Sequence, residues 1–305
     1  MAQKGKKRRI QAYAFIDTNI FLDFYRGTNE ARLSLLEKLE QVKDRVICTY
    51  QVEMEFLKNR QTQIKKILSD TKITMGGSLP AALADTKVNA AFAKIKKNVA
   101  RADGKLKKHV LTLLQDRQKD RVYTVLDAIF TSQSRHVLTR DMPVRHLIKR
   151  RAWKRFILGY PPRKTQDTST GDALNWEWIV YCAKELKLRG RFYIVSRDGD
   201  FGCEHEGAYI LNDQLMREFR ERVGGKSLVY THKLSEALEA LHVEVTKEEK
   251  QAEKAEVADA QNVEPISYAS LLRTFGPEEG MQIAKLLGVE APPAPLSLIT
   301  SLTTK

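Results

Sequence analysis

Cysteine is scarce in this chain. Its three residues, Cys48, Cys182 and Cys203, are too scattered for a disulfide framework or a Cys-x-x-Cys zinc site, and a reducing, cytoplasmic setting is expected. Long apolar runs are missing too. None reaches membrane-spanning length, and the opening MAQKGKKRR has no apolar stretch of the kind a secretory signal needs. A Walker-type phosphate loop is absent, which argues against ATP-driven activity within the chain. No segment repeats. The most telling gap is local: between residues 57 and 166 there is no glutamate, and seven Asp stand against 26 Lys and Arg.

That one segment carries a surplus of 19 positive charges, more than the net +14 of all 305 residues, so the remainder is slightly acidic. Solvated faces mix signs, whereas a bias this one-sided is the footprint of a surface for phosphate backbones. Nucleic acid is the expected partner, and a membrane is not. Length and an ordinary apolar content allow one large domain or two small ones with a proper core.

The chain is organised around residues 12 to 26, AYAFIDTNIFLDFYR. Ala12 to Ile16 is an apolar run of buried-strand length that stops at Asp17, where Thr18-Asn19 leads into apolar residues at helical spacing. A helix at 29–42, a strand at 45–48 and a helix at 51–68 follow, before Gly76-Gly77 and Pro80 break the pattern. The spacing then predicts helices at about 82–102, 106–115, 120–135 and 144–158, a helical insertion over about 71–165. From Ser169 the pattern becomes helix 172–186, strand 191–196, strand 208–211, helix 213–223, strand 227–231 and helix 234–241. Strands alternating with helices imply an α/β fold in three layers, a mostly parallel central sheet flanked by helices. The expected organisation is a basic tail over 1–9 and one domain over 10–245. Residues 246–305 read as linker, short helices and tail.

Acidic residues fall at the element boundaries. Asp17 ends the first strand, and Asp172 opens the helix after Ser169-Thr170-Gly171. Asp198 and Asp200 follow the strand ending at Ser196. Glu53 and Glu55 lie early in a helix, two apart, so only one can face a given site. Each has an ordinary alternative as a cap, a dipole partner or turn chemistry. Those alternatives leave the joint placement unexplained. In a parallel sheet, strand ends and the starts of the flanking helices share the edge where ligands gather, so Asp17, Glu55, Asp172 and Asp198 should converge. Two carboxylates about 5 Å apart repel by about 3 kcal/mol at an effective dielectric of about 20. Such a cluster stays partly protonated or holds cations, and hard divalent ions, Mg²⁺ or Mn²⁺, suit oxygen ligands. Their chemistry is in-line attack of water on a phosphodiester. An aspartyl phosphatase would want Asp-x-Asp at the first strand, where Asn19 stands instead.

FIDTNIFLD, the Glu of VEMEF, STGDALNW and IVSRDGDF together resemble the four acidic motifs of PIN-domain nucleases, in order, over residues 10–70 and 165–240. The arrangement is similar to the larger bacterial PIN-like proteins rather than the compact toxin type. The resemblance implies that Asp17, Glu55, Asp172 and Asp198 are the catalytic carboxylates and hold one or two Mg²⁺ or Mn²⁺ ions. Asp200 is the reserve for the fourth position, with Asn19 and Ser196 assisting. Glu55 is preferred to Glu53 because the family's Glu directly precedes an apolar residue, here Phe56. A metal-dependent endoribonuclease is implied, toxin-like or defence-related and acting on tRNA or other structured RNA. A structure-specific DNA nuclease and a catalytically silent nucleic-acid-binding or assembly module are the alternatives.

The insertion leaves the domain between the second and third carboxylates and carries two basic runs. One is Lys94, Lys96, Lys97, Arg101, Lys105, Lys107 and Lys108. The other is Arg145, Lys149, Arg150, Arg151, Lys154 and Arg155, with Trp153 and Phe156 interleaved. Together they are the expected wall for a nucleic-acid strand. Trp153 would stack on an unpaired base, unless it serves the core as a Trp at that spacing often does. Helices within 266–288 are expected to serve self-association or docking of a partner subunit.

Overall fold

The strand β1 (Ala12–Ile16) is buried at all five positions, as its unbroken apolar run requires. It lies third in a five-stranded parallel sheet ordered β3-β2-β1-β4-β7, with β2 (Val46–Thr49), β3 (Val137–Leu138), β4 (Arg191–Val195) and β7 (Ser227–Thr231). A computed structural model describes residues 11–27, 29–70, 86–163, 169–186 and 190–261. The basic tail and the helices expected at 266–288 lie outside the described residues.

The strand order reverses between β1 and β4. From β1 the chain builds outward one way through β2 and β3, then returns to build the other way through β4 and β7. Ile16 pairs with Val195, so β1 and β4 end level with each other. Loops diverge at such a reversal and leave a crevice. The sheet is flanked by α1 (Thr18–Asp23), α2 (Glu30–Gln41), α3 (Tyr50–Asp70), α5 (Arg121–Phe130), α7 (Gly171–Lys184), α8 (Asp213–Val223) and α9 (Leu234–Ala240). The helix α7 is buried nearly all round because it packs against α3, α6 (Arg145–Leu158), α8 and β2, and Trp176 and Trp178 have no exposure. An antiparallel hairpin, β5 (Gly202–His205) and β6 (Ala208–Leu211), follows β4.

Three features differ from the sequence-based expectation. The two helices expected at 82–102 and 106–115 are one, α4 (Thr86–Gln115), which runs through Gly104. An exposed glycine costs a helix only about 1 kcal/mol, and Asp103 and Lys107 pair across it at 2.7 Å. The helix expected at 120–135 ends at Phe130, and the chain returns to the sheet as β3. The residues Val122, Val125, Leu126, Ile129, Val137 and Leu138 join the main core, so this part of the expected insertion is integral to the α/β domain. Finally, the first compact unit runs past 245 to Lys254. In α10 (Lys247–Gln261), buried Glu253 accepts from the N–H groups of Leu234 (2.6 Å) and Ser235 (3.0 Å) at the start of α9, and from Arg32 of α2 at 2.9 Å.

Candidate metal centre

Asp17 follows β1 directly and is buried. Its Oδ1 accepts from the Thr18 N–H at 2.7 Å, which caps α1. Its Oδ2 accepts from Ser196 Oγ at 2.5 Å and from Asn19 Nδ2 at 2.8 Å. Capping therefore occupies one oxygen and the loop after β4 reaches the other. Ser196 Oγ accepts in turn from the Asp198 N–H (3.0 Å), and Asp198 Oδ1 from the Asp200 N–H (3.3 Å). Asn19 and Ser196 thus tie the loops after β1 and β4 together.

Glu55 enters from α3. Its Oε2 accepts from Thr18 Oγ1 at 3.1 Å and its Oε1 from Gln51 Nε2 at 2.7 Å, one helical turn earlier. Glu53 lines a separate cleft with Cys48, Phe130 and Leu138. The start of α7 comes so close that a Cβ on Gly171 would lie 2.6 Å from Glu55 Oε1 and 3.1 Å from Gln51 Nε2. A glycine there lets Asp172 approach. Oxygens of Asp172, Asp198 and Asp200 lie within 4.8 Å of one another.

The carboxylates feel each other. Burial pushes Asp172 up to about 8, and repulsion from Asp17, Asp198, Glu55 and Asp200 adds to it. Burial likewise pushes Asp17 up to about 6, against the hydrogen bonds of Ser196 and Thr18 and with repulsion from Asp198 and Glu55. Five carboxylates therefore share one neighbourhood, and Asp17 and Asp172 both hold their protons more tightly than an ordinary carboxyl, Asp172 the more so. Hard oxygen donors gathered at this density are the chemistry of a divalent cation site.

Several residues escaped notice in the sequence. Gln51 stands four before Glu55 on one helix, a spacing that was visible. Thr18 reads in the sequence only as a helix start, whereas its hydroxyl donates to Glu55. Arg197, between Ser196 and Asp198, reaches Asp23 on α1 at 2.5 Å, a partly buried pair that sequence spacing does not reveal.

The basic residues divide. Lys94, Lys97, Arg101 and Lys105 are exposed on α4, which packs on α3. Lys149 and Arg150 are exposed and Arg145 and Arg151 half-buried on α6, which packs on α7. Arg155 corrects the expectation. It is 4% exposed, donates to Glu177 at 3.2 Å, pairs with Glu218 and donates to the Pro161 carbonyl. Ile148, Ala152 and Arg155 form the inner face of α6, at helical spacing. Its guanidinium is therefore spent inside the protein. Trp153 lies 57% exposed, stacked on Phe156 with centroids 5.8 Å apart.

A parallel sheet with carboxylates collected where its strand order reverses is a layout suited to divalent-cation chemistry. The PIN domain family matches residues 14–201, more than half of the chain, and the chain belongs to that family. PIN domains are typically metal-dependent nucleases that use divalent ions. Comparison with curated proteins and with solved structures gave no match. Among the described residues no helix is long and apolar enough to cross a membrane.

Proposed function

We propose that the chain is a metal-dependent endoribonuclease that hydrolyses phosphodiester bonds at this carboxylate cluster. The observation that carries the proposal is the convergence of Asp17, Glu55, Asp172, Asp198 and Asp200 at the reversal of the sheet. The donor set fits Mg²⁺ or Mn²⁺, since every offered atom is a carboxylate oxygen and Gly171 keeps the start of α7 from blocking Glu55. When bound, the ion supplies a polarised water and neutralises charge on the leaving oxygen.

The protein's own groups do the rest. Asp17, Glu55, Asp172 and Asp198 hold the cation, with Asp200 completing the set. Asn19 and Ser196 orient Asp17, while Thr18 and Gln51 orient Glu55. Arg197, locked to Asp23, steadies the loop that carries Asp198. Cationic residues exposed on α4 and α6 draw in the phosphate backbone. The resemblance to PIN-domain nucleases supports RNA ahead of DNA as the substrate.

The test is incubation of labelled RNA and DNA, single- and double-stranded, with Mn²⁺, Mg²⁺ or EDTA. Internal cleavage of RNA is expected with either metal and not with EDTA. Asp17→Asn and Asp172→Asn should bind RNA and leave it intact. Cleavage of DNA alone would replace this proposal with the DNA nuclease. Binding without cleavage under every condition would leave the silent binding module.

A further inference from the structure

Beside the carboxylates lies a cleft of about 460 Å³, lined among others by Tyr50, Gln51, Lys149, Arg150, Trp153 and Leu174. It adjoins the candidate metal centre on two sides. Gln51 donates to Glu55 at 2.7 Å, and Thr170, also on its wall, immediately precedes Gly171-Asp172. Lys149 and Trp153 stand one turn apart on α6 and so share a face. Among the described residues no carboxylate lines the cleft. The neighbouring cavity around Arg155, Arg222, Glu177 and Glu218 is different, because its charges answer one another.

An exposed indole, two exposed cations and no acid form the chemistry that receives one nucleotide: a flat face for the base and positive charge for its phosphate. We propose that this cleft is a nucleotide subsite, which takes an unpaired base against Trp153 with the adjoining phosphate on Lys149 and Arg150. Bases inside a duplex are already stacked on both faces, so the subsite selects single-stranded or locally unpaired nucleic acid. It rests on the nuclease proposal for the neighbouring scissile phosphate, but binding in the cleft needs no cleavage.

The protein carries its own reporter. Of its three tryptophans, Trp176 and Trp178 are fully buried, and Trp153 alone faces solvent. The full-length chain in EDTA is titrated with a single-stranded RNA of about 12 nucleotides, the same sequence as a duplex, and an abasic strand that keeps the phosphates. Tryptophan fluorescence and anisotropy are followed together. The single strand should quench fluorescence, and Trp153→Ala should weaken its binding by about 10-fold. Trp153→Phe should stay within about 3-fold of wild type, because a ring still stacks. Binding of the duplex and the abasic strand should not change in either variant. Lys149→Gln with Arg150→Gln should lower the salt dependence for the single and abasic strands by about two counterions. Fluorescence that stays constant while anisotropy reports binding would overturn the subsite, as would an equal loss on the abasic strand. Cleavage measured in parallel with Mn²⁺ separates the two proposals. Quenching without cleavage sinks only the nuclease, and cleavage with Trp153 silent sinks only the subsite.

Discussion

Removing the charge from Asp172 should make the metal-free protein more stable. Burial, then repulsion from Asp17, Asp198, Glu55 and Asp200, moves its carboxyl from 3.8 up to about 8. A group that holds its proton more tightly when folded contributes stability that is fully present below its unfolded pKa. That contribution is lost as pH rises through the folded value. The window here runs from about pH 4 to about pH 8. At about 1.4 kcal/mol per pKa unit, a rise of about four units is worth at most about 6 kcal/mol. Asparagine avoids the ionisation, but its amide must still be desolvated. Asp172→Asn should therefore gain about 3 kcal/mol near pH 8 in EDTA, or about 6–12 °C in Tm for a domain of this size. Near pH 4 it should gain almost nothing. Thermal melts followed by circular dichroism at both pH values check this. Mn²⁺ should then raise the melting temperature of the wild type near pH 8 and leave the variant nearly unmoved. A variant that melts below wild type near pH 8 in EDTA, or gains equally at both pH values, would refute a shared carboxylate field.

Mn²⁺ binding should tighten from about pH 6 to about pH 8 and release up to about two protons, since Asp17 and Asp172 must ionise first; calorimetry in buffers of different ionisation enthalpy measures this, and heats independent of buffer would contradict it. Gly171→Ala should weaken Mn²⁺ binding by about 10-fold or more while the far-ultraviolet spectrum stays native, because the methyl meets the Glu55 carboxylate rather than the core. Arg155→Ala should cost about 3–5 kcal/mol in denaturant unfolding, since it strips a partner from buried Glu177. Lys149→Ala, exposed on the same helix, should cost less than about 0.5 kcal/mol; similar losses for the two would show that Arg155 is not structural.

Much of the frame was legible because parallel strands leave a strong signature. The strand at Ala12–Ile16, the strand at Ser227–Thr231 and the helix at Asp213–Val223 lie where apolar spacing and caps put them. The strand β3 was not legible, since two residues are too few to show a period. Polar, largely exposed β5 hides for a related reason, as only one of its four residues is buried. Arg155 counts in a sequence as one more basic residue, whereas its role depends on Glu177 and Glu218 far along the chain. The buried ion pair of Arg32 with Glu253 is hidden for the same cause.

The local chemistry around the acidic residues argues that their closeness serves something other than stability. Thr18, Asn19, Gln51 and Ser196 each direct a side-chain donor at Asp17 or Glu55. Those donors hold in place carboxylates that repel one another, and Gly171 gives up its side chain so that Asp172 can join them. A helix cap at α1 needs only the Asp17 oxygen that faces Thr18. The second oxygen, the turn of α3 that brings Glu55 and the loop after β4 that brings Asp198 add nothing to that cap. Without a cation the arrangement raises the free energy of the fold as pH climbs, and with one the same oxygens become ligands. A polar cluster that costs stability when empty and is braced from three elements of the chain fits the divalent ion proposed for it.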